Sequence, residues 1–252
     1  MDLIELSWPA VAALPKDTPI VFPIAALEQH GHHLPLFTDS LLLGEIIRRA
    51  KEPLANRVLF APLMWLGNSH HHLDFAGTMS AAPRSYLDLL NGLAENFLQH
   101  GFRRLVFING HGGNDVPGKQ TVFELRQRHR LCDDVLFLLG TYWSLGAKPW
   151  ESGPSLHQRE MGHACEWETS MILRLAPQSV GDYRNAAPVE PGTPFTPATR
   201  GWTTRERTVP GHIGWPHLAT AEKGEHLFKT FAADVVALLE RVVRWDGNSW
   251  NG

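Results

Sequence analysis

The chain has 252 residues, enough for one or two domains, and its 43% hydrophobic and 19% charged composition belongs to a folded core rather than a disordered chain. With 23 basic against 26 acidic residues, a formal net charge of −3, it lacks the positive excess of a dedicated nucleic-acid binder, and no apolar run reaches the ~18 residues of a membrane span. The two cysteines, Cys132 and Cys165, cannot build a disulfide framework, and the acidic start Met1-Asp2-Leu3-Ile4-Glu5 lacks the basic residues of a signal peptide, so a cytoplasmic protein is expected.

In chain order, Pro19-Ile20-Val21-Phe22-Pro23-Ile24 reads as a buried strand and feeds the polar loop Ala25-Ala26-Leu27-Glu28-Gln29-His30-Gly31-His32-His33. Asp39 to Lys51 reads as a helix with Leu42, Leu43, Ile46 and Ile47 on one face. Residues 58–63 form a second strand candidate, and residues 67–79, rich in Gly, His, Asn and Ser, a loop. Tyr86 to His100 carries Leu87, Leu90, Leu93, Ala94, Phe97 and Leu98 at helical spacing, with Gly101 as a stop. Arg104-Leu105-Val106-Phe107-Ile108 is the clearest strand and ends abruptly at Asn109-Gly110-His111-Gly112-Gly113-Asn114. A helix from about Val116 to Arg130, a strand over 135–139, an irregular stretch over 144–165 and a helix from Glu166 to Leu175 follow. Residues 181–218, with many Pro, Gly and Thr, read as long loops with room for a hairpin, and Ala219 to Arg244 closes the chain as a helix. There is no internal repeat and no linker, so residues 1–252 are expected to form a single domain. Strand–helix alternation predicts an α/β fold, a parallel sheet covered by helices on both faces, whose ligands sit at the carboxyl ends of the strands. The loops 25–38 and 109–115 both begin where a strand ends, and so point to one rim.

Histidine is abundant: 14 residues, more than the aspartates and over twice the lysines. Glu28-x-His30, with Asp39 nine residues after His30, offers the carboxylate and imidazole ligands usual for Zn²⁺, Mn²⁺ and Fe²⁺; the rival reading is a polar loop with Asp39 as a helix cap. His32 and His33 read as loop or supporting residues. In Asn109-Gly110-His111-Gly112-Gly113-Asn114, the glycines around a histidine suggest tight, positive-φ backbone close to a bound group. A dinucleotide loop fails on spacing, because the position that should be glycine is Asp115, while a purely structural turn remains a rival. In His163-Ala164-Cys165-Glu166-Trp167-Glu168-Thr169-Ser170 the two glutamates point to different faces of a helix, so only one can face a common site; the rival is a solvated helix start. Of His70-His71-His72, at most one or two can reach one metal, and His72 is placed as a pocket residue. Cys165 reads as a small core residue, and no Gly-x-Ser-x-Gly nucleophile motif is present.

Together these segments resemble the creatininase (creatinine amidohydrolase) family. The matching stretches are residues 25–35 with Asp39, Phe75-Ala76-Gly77-Thr78, residues 109–114, Tyr142-Trp143, His163 with Glu168-Thr169-Ser170, and Gly211 to Gly224. They run in family order along nearly the whole chain. The resemblance implies a three-layer α/β/α sandwich with a mostly parallel central sheet, and a homo-oligomer, often a hexamer. It also implies two divalent metal ions per chain, Zn²⁺ as the first expectation and Mn²⁺ or Fe²⁺ as alternatives. By that resemblance Glu28 and His111 hold one metal, His30 the other, and Asp39 bridges them. In creatininase a glutamate two residues after the loop histidine also binds the second metal; here that position is Gly113, with Glu168 as the candidate substitute and Glu166 as the alternate. Two M²⁺ ions balanced by Glu28, Asp39, Glu168 and a hydroxide make a neutral site, suited to a metal-bound hydroxide nucleophile.

His163 matches the family's proton shuttle, a role that its ordinary pKa near ~6.5 suits. The substrate-binding positions implied are His72, Gly112, Gly113, Trp143 and Arg159. Arg159 and Glu160 stand where creatininase has a tryptophan and an aspartate over its substrate, and Arg159 would favour an anionic or larger substrate. The expected activity is hydrolysis of a non-peptide C–N bond, in a creatinine-like or other cyclic amide, with a small molecule as partner and neither nucleic acid nor membrane. The alternatives are a formamide or peptide-bond hydrolase on the same metals, and a binding or scaffold protein that has lost catalysis, for which the loss at Gly113 is the hint.

Overall fold

A computed structural model of the chain describes residues 1–192 and 195–250. Its centre is a four-stranded, wholly parallel sheet in the order β2-β1-β3-β4: β1 is Ile20–Ile24, β2 Leu59–Phe60, β3 Arg104–Asn109 and β4 Leu136–Thr141. The helices are α1 (Trp8–Ala12), α2 (Thr38–Lys51), α3 (Pro83–Gln99), α4 (Asp115–Arg128), α5 (Glu166–Leu175), the single turn α6 (Thr204–Arg207) and α7 (Ala221–Arg244).

Strands β1 and β3 are buried throughout, as parallel strands covered on both faces must be. Their alternation assigns side chains to two layers. Val21, Val106 and Ile108 join Leu42, Leu43 and Ile46 of α2, Trp167 and Met171 of α5, and Leu227, Phe231 and Val235 of α7. Ile20, Phe22, Ile24, Leu105 and Phe107 face the other way, onto Tyr86, Leu90 and Ala94 of α3 and Leu125 of α4. Each such large side chain contributes about 1.5–3 kcal/mol on burial. The expected α/β/α sandwich is therefore present.

Three expectations need correction. The stretch 181–218 contains no ladder hairpin among its described residues, only an isolated antiparallel bridge Val189↔Gly214 and the turn α6. The 67–79 loop tightens into a 3₁₀ turn at His70–His72. Asp39 is not the cap of α2: the cap is Phe37, and Asp39 lies within the first turn. No helix among the described residues is long and apolar enough to cross a membrane.

The chain leaves β1 to one side for β2 and returns to its other side for β3. That reversal opens a crevice between the carboxyl ends of β1 and β3, where the loops after Ile24 and Asn109 emerge. At the opposite end of the sheet, Arg104 is spent on structure, its guanidinium donating to the carbonyls of Val242, Val243 and Trp245 at 2.8–3.0 Å.

Glu225 ties three helices on the α7 side. Its carboxylate takes both Arg49 Nη1 and Nη2 of α2 at 2.9 Å and Arg174 Nε of α5 at 2.8 Å. The hydrogen bonds from Arg49, then those from Arg174, hold its pKa down at about 2 against an ordinary 4.5. A carboxylate depressed in the folded state stabilises fully above the unfolded value, and that contribution disappears as pH falls from ~4.5 towards 2. Glu225→Gln is therefore expected to flatten the fall in melting temperature across that window, measured by circular dichroism. An unchanged acid profile would refute the assignment.

Candidate metal centre and active site

The crevice gathers three buried carboxylates, Glu28, Asp39 and Glu168, with buried His30, His72 and His111 and the half-buried His163. Glu28 and His30 come from the loop after β1, Asp39 from α2, His111 from the loop after β3, and Glu168 from α5. Asp39 Oδ1 is 3.1 Å from His30 Nε2, and its Oδ2 is 3.0 Å from His111 Nδ1. Glu28 Oε1 lies 3.3 Å from both His111 Nδ1 and His72 Nε2, and 3.7 Å from His163 Nδ1. Glu168 Oε1 is 3.7 Å from His30 Nε2. Glu28, His30 and Asp39, like His30, His163 and Glu168, bring donor atoms within 4.8 Å of one another. Glu28 forms two further such groups, one with His71 and His111 and one with His72 and His163.

Backbone carbonyls set the tautomers. His30 Nδ1 donates to Glu28 O at 3.1 Å, His111 Nε2 to Asn68 O at 3.0 Å and His163 Nε2 to Gln29 O at 2.8 Å, so each ring turns its other nitrogen into the site. His72 instead turns its N–H into the site. Gln29 is oriented unambiguously, because its Oε1 accepts from Gly31 N at 2.9 Å and its Nε2 donates to Gly211 O at 2.8 Å. Its Nε2 also stands 2.8 Å from His72 Nδ1, which accepts, leaving the His72 Nε2 proton for Glu28. The sequence reading passed over Gln29, although it lies inside the Glu28-x-His30 motif.

Three carboxylates out of water demand positive charge. Burial pulls the His111 imidazolium down, yet Glu28 and Asp39 outweigh it and hold its pKa at about 9. His30 is likewise raised, burial being outweighed by Asp39 and Glu168. Burial raises Glu28 to about 7 in spite of His111, whereas Asp39, opposed by burial, is driven down by His30 and His111. His163 and His72 are both pushed down, mainly by burial, and stay neutral. Glu28 Oε2, Asp39 Oδ2 and Glu168 Oε2 are buried without a hydrogen-bond partner. Buried carboxylates beside imidazoles whose inner protons a cation would displace are a donor set that fits divalent metals.

Glu166 stays out of the site. Its Oε1 takes Lys223 Nζ at 2.6 Å, and its Oε2 takes the amides of His157 and Gln158 at 2.9 and 2.8 Å. The glycines of the 109–114 loop are needed for close approach rather than positive φ, since Gly110, Gly112 and Gly113 all avoid that region. A Cβ on Gly113 would meet Asn68 O at 2.2 Å and His111 Nε2 at 2.4 Å, and one on Gly110 would meet Leu43 Cβ at 2.8 Å, whereas Gly112 faces open space. Asn109 braces the loop from inside, donating to His111 O at 2.8 Å and accepting from His111 N at 3.0 Å. After His163, Ala164 is held at φ +46°, and its carbonyl accepts from buried His33 at 3.1 Å.

A cavity of about 690 Å³ opens above this floor. Trp143, His72, Gly112 and Gly113 line it. Arg159 does not: it is exposed, with its guanidinium 5.9 Å from the Trp150 ring centroid, and the arginine lining the cavity is Arg207. Cys165 is buried in the core and Cys132 is exposed; both are free.

A family model described as "Creatininase: Creatinine amidohydrolase" matches residues 4–239. The mycofactocin precursor peptide peptidase of Mycobacterium tuberculosis (strain ATCC 25618 / H37Rv) is 32% identical, covering 96% of this chain and 91% of that protein. The creatinine amidohydrolase of Pseudomonas putida is 28% identical over 88% of this chain and 89% of its own. A solved structure described as "Creatininase Mn" superposes with a TM-score of 0.80 at 25% identity, covering 97% of this chain and 99% of that one.

Proposed function

The chain belongs to the creatininase (creatinine amidohydrolase) family, and from that premise we propose that it is a dinuclear metal hydrolase that cleaves an amide C–N bond in a short peptide. The observation that carries the hydrolase reading is the gathering of three buried carboxylates, Glu28, Asp39 and Glu168, around imidazoles whose outer nitrogens are held by backbone carbonyls, with the Oε2 atoms of Glu28 and Glu168 left without a hydrogen-bond partner. Glu28 and His111 would hold one cation and His30 and Glu168 the other, with Asp39 between them; Zn²⁺, Mn²⁺ and Fe²⁺ all suit such N/O donors. When bound, the pair supplies Lewis-acid polarisation of the scissile carbonyl and lowers the pKa of a water from ~15.7 to about 7.

The chain's own residues do the rest. His163, neutral and with Nε2 tied to Gln29 O, presents Nδ1 to take a proton from the attacking water and return it to the departing nitrogen. Such transfer contributes about 10²–10⁴-fold. His72 donates its Nε2 proton to Glu28 and keeps that carboxylate in register. The apolar groove of Leu3, Leu6, Trp8, Val11, Phe97 and Phe102 supports homo-oligomeric assembly as part of the same reading.

Two observations favour a peptide over the cyclic amide expected from sequence. A single small ring fills only a fraction of a 690 Å³ cavity, and the M. tuberculosis relative is a peptide peptidase by name. The cyclic-amide reading stands second, on the similarity to creatinine amidohydrolase. The test is chelation, reconstitution with Zn²⁺, Mn²⁺ or Fe²⁺, and a screen of creatinine, other lactams, hydantoins, formamides and short peptides. Activity should vanish with chelator and return with metal, and short peptides should be turned over. Turnover of rings alone would promote the second reading. A protein that binds no metal and turns over nothing would instead be a lapsed binding member of the family.

A further inference from the structure

Arg207 is the only lysine or arginine among the residues lining the cavity, and it is held there by construction. Its turn, α6, is fixed by a capping box in which Thr203 N donates to Glu206 Oε2 at 2.7 Å. Thr204 is buried, and Thr208, buried next to Arg207, donates from Oγ1 to His212 O at 2.7 Å. The turn packs on the His70–His72 segment.

The guanidinium lies over the Trp202 ring at 4.6 Å, Trp202 meets His71 edge-on at 5.0 Å, and His71 stacks on His111 at 5.7 Å. This chain of rings leads from the cavity wall down to the carboxylate–imidazole floor. Arg207 is exposed at the cavity rim, and the desolvation its guanidinium does undergo lowers its pKa. Among the described residues it has one hydrogen bond, from Nη2 to Pro191 O at 3.2 Å, and no carboxylate within ion-pair distance. One such bond leaves donors of the five-donor fork available to a ligand. Such a planar fork matches a carboxylate in two parallel hydrogen bonds. Trp143, Met161, Val116 and Ile213 line the rest of the cavity with apolar surface, while Asp115 and Glu160 repel an anion from their own positions.

We propose that Arg207, stacked on Trp202, is the specificity residue that binds a free carboxylate of the substrate, so that the enzyme selects amides carrying an anionic group over neutral ones. The inference rests on the hydrolase reading and names the class of substrate for that site.

The test measures binding and turnover of N-acetyl-Ala-Phe, its carboxamide, and N-acetyl-Asp-Phe-amide, which moves the carboxylate to a side chain. The proteins are metal-loaded wild type, Arg207→Gln and Arg207→Lys, and calorimetry is run alongside kinetics. Wild type should favour the free acid over the carboxamide by about 10–100-fold, as charge-assisted hydrogen bonds allow. Arg207→Gln should bring that ratio close to one, and Arg207→Lys should keep part of it. The readout is a ratio within each variant, which a folding defect lowers for both ligands alike. A preference for the Asp-bearing amide that also vanishes in Arg207→Gln assigns the site to a side-chain carboxylate, with Arg207 in the same role. Equal binding of acid and amide by wild type, binding of neither, or a ratio unchanged in Arg207→Gln overturns the proposal. Carboxylate preference without hydrolysis of any probe keeps Arg207 as the anion site and sinks the hydrolase reading; hydrolysis without preference does the reverse.

Discussion

Replacing Asp39 by alanine is expected to remove tightly held metal and hydrolytic activity together, from about two equivalents per chain to less than one, with turnover falling to background. Asp39 is the one carboxylate whose two oxygens face different imidazoles, Oδ1 towards His30 at 3.1 Å and Oδ2 towards His111 at 3.0 Å. Without it neither half of the donor set has enough negative charge to hold a divalent ion against water. The fold should survive, because α2 does not depend on Asp39 for its cap. Wild type should gain melting temperature with added Zn²⁺ or Mn²⁺, as any ligand of the native state provides, and Asp39→Ala should not. Elemental analysis with parallel calorimetry checks this. A variant that keeps both metal and turnover would remove the centre from consideration.

His163→Asn should separate proton transfer from metal binding. The expected result is a fall in kcat of about 10²–10⁴-fold, with metal content unchanged and KM nearly so. Asparagine fills the Nδ1 end of the ring but has no titratable nitrogen to present where Nδ1 now stands 3.7 Å from Glu28 Oε1. Since His163 also stands within ligand distance of His30 and Glu168, metal loss comparable to that of Asp39→Ala would make it a ligand and end its assignment as proton carrier.

Parallel strands buried on both faces leave an unmistakable trace, and β1 and β3 can be read from it to within a residue or two, while the half-buried edge strand β4 is legible from its apolar run. The second strand is only Leu59–Phe60: Leu59 N and Ala61 N donate to Pro19 O and Val21 O, but the next bond, to Pro23 O, comes from Met64 N, one residue out of step with a regular ladder. The turn α6 left a usable signal, Thr203-Thr204-Arg205-Glu206, a capping-box pattern hidden in a stretch otherwise rich in Pro, Gly and Thr. In the site, Glu28, His30 and His111 are legible because they lie in loops that begin where strands end, and Asp39 because it opens the helix that follows the first of those loops. Gln29 is not, because what defines it is a carbonyl 182 residues away, at Gly211. Arg159 was placed by counting back from His163, and counting conveys separation along the chain but not direction. Glu160 and Met161 line the cavity while the neighbouring side chain lies over Trp150.

The crowding at Gly113 bears on ancestry. A creatininase-like glutamate at this position would need its Cβ where Asn68 O, 2.2 Å from it, and His111 Nε2, 2.4 Å from it, already stand. The Asn68 carbonyl is also the acceptor that fixes the His111 tautomer. A lineage with the present arrangement therefore cannot regain that carboxylate in one step: the 67–69 segment must first retreat, and retreat releases His111. On the proposed ligand set, Glu168 and a glutamate at position 113 would be alternative solutions to one charge requirement, separated by a valley that no single replacement crosses.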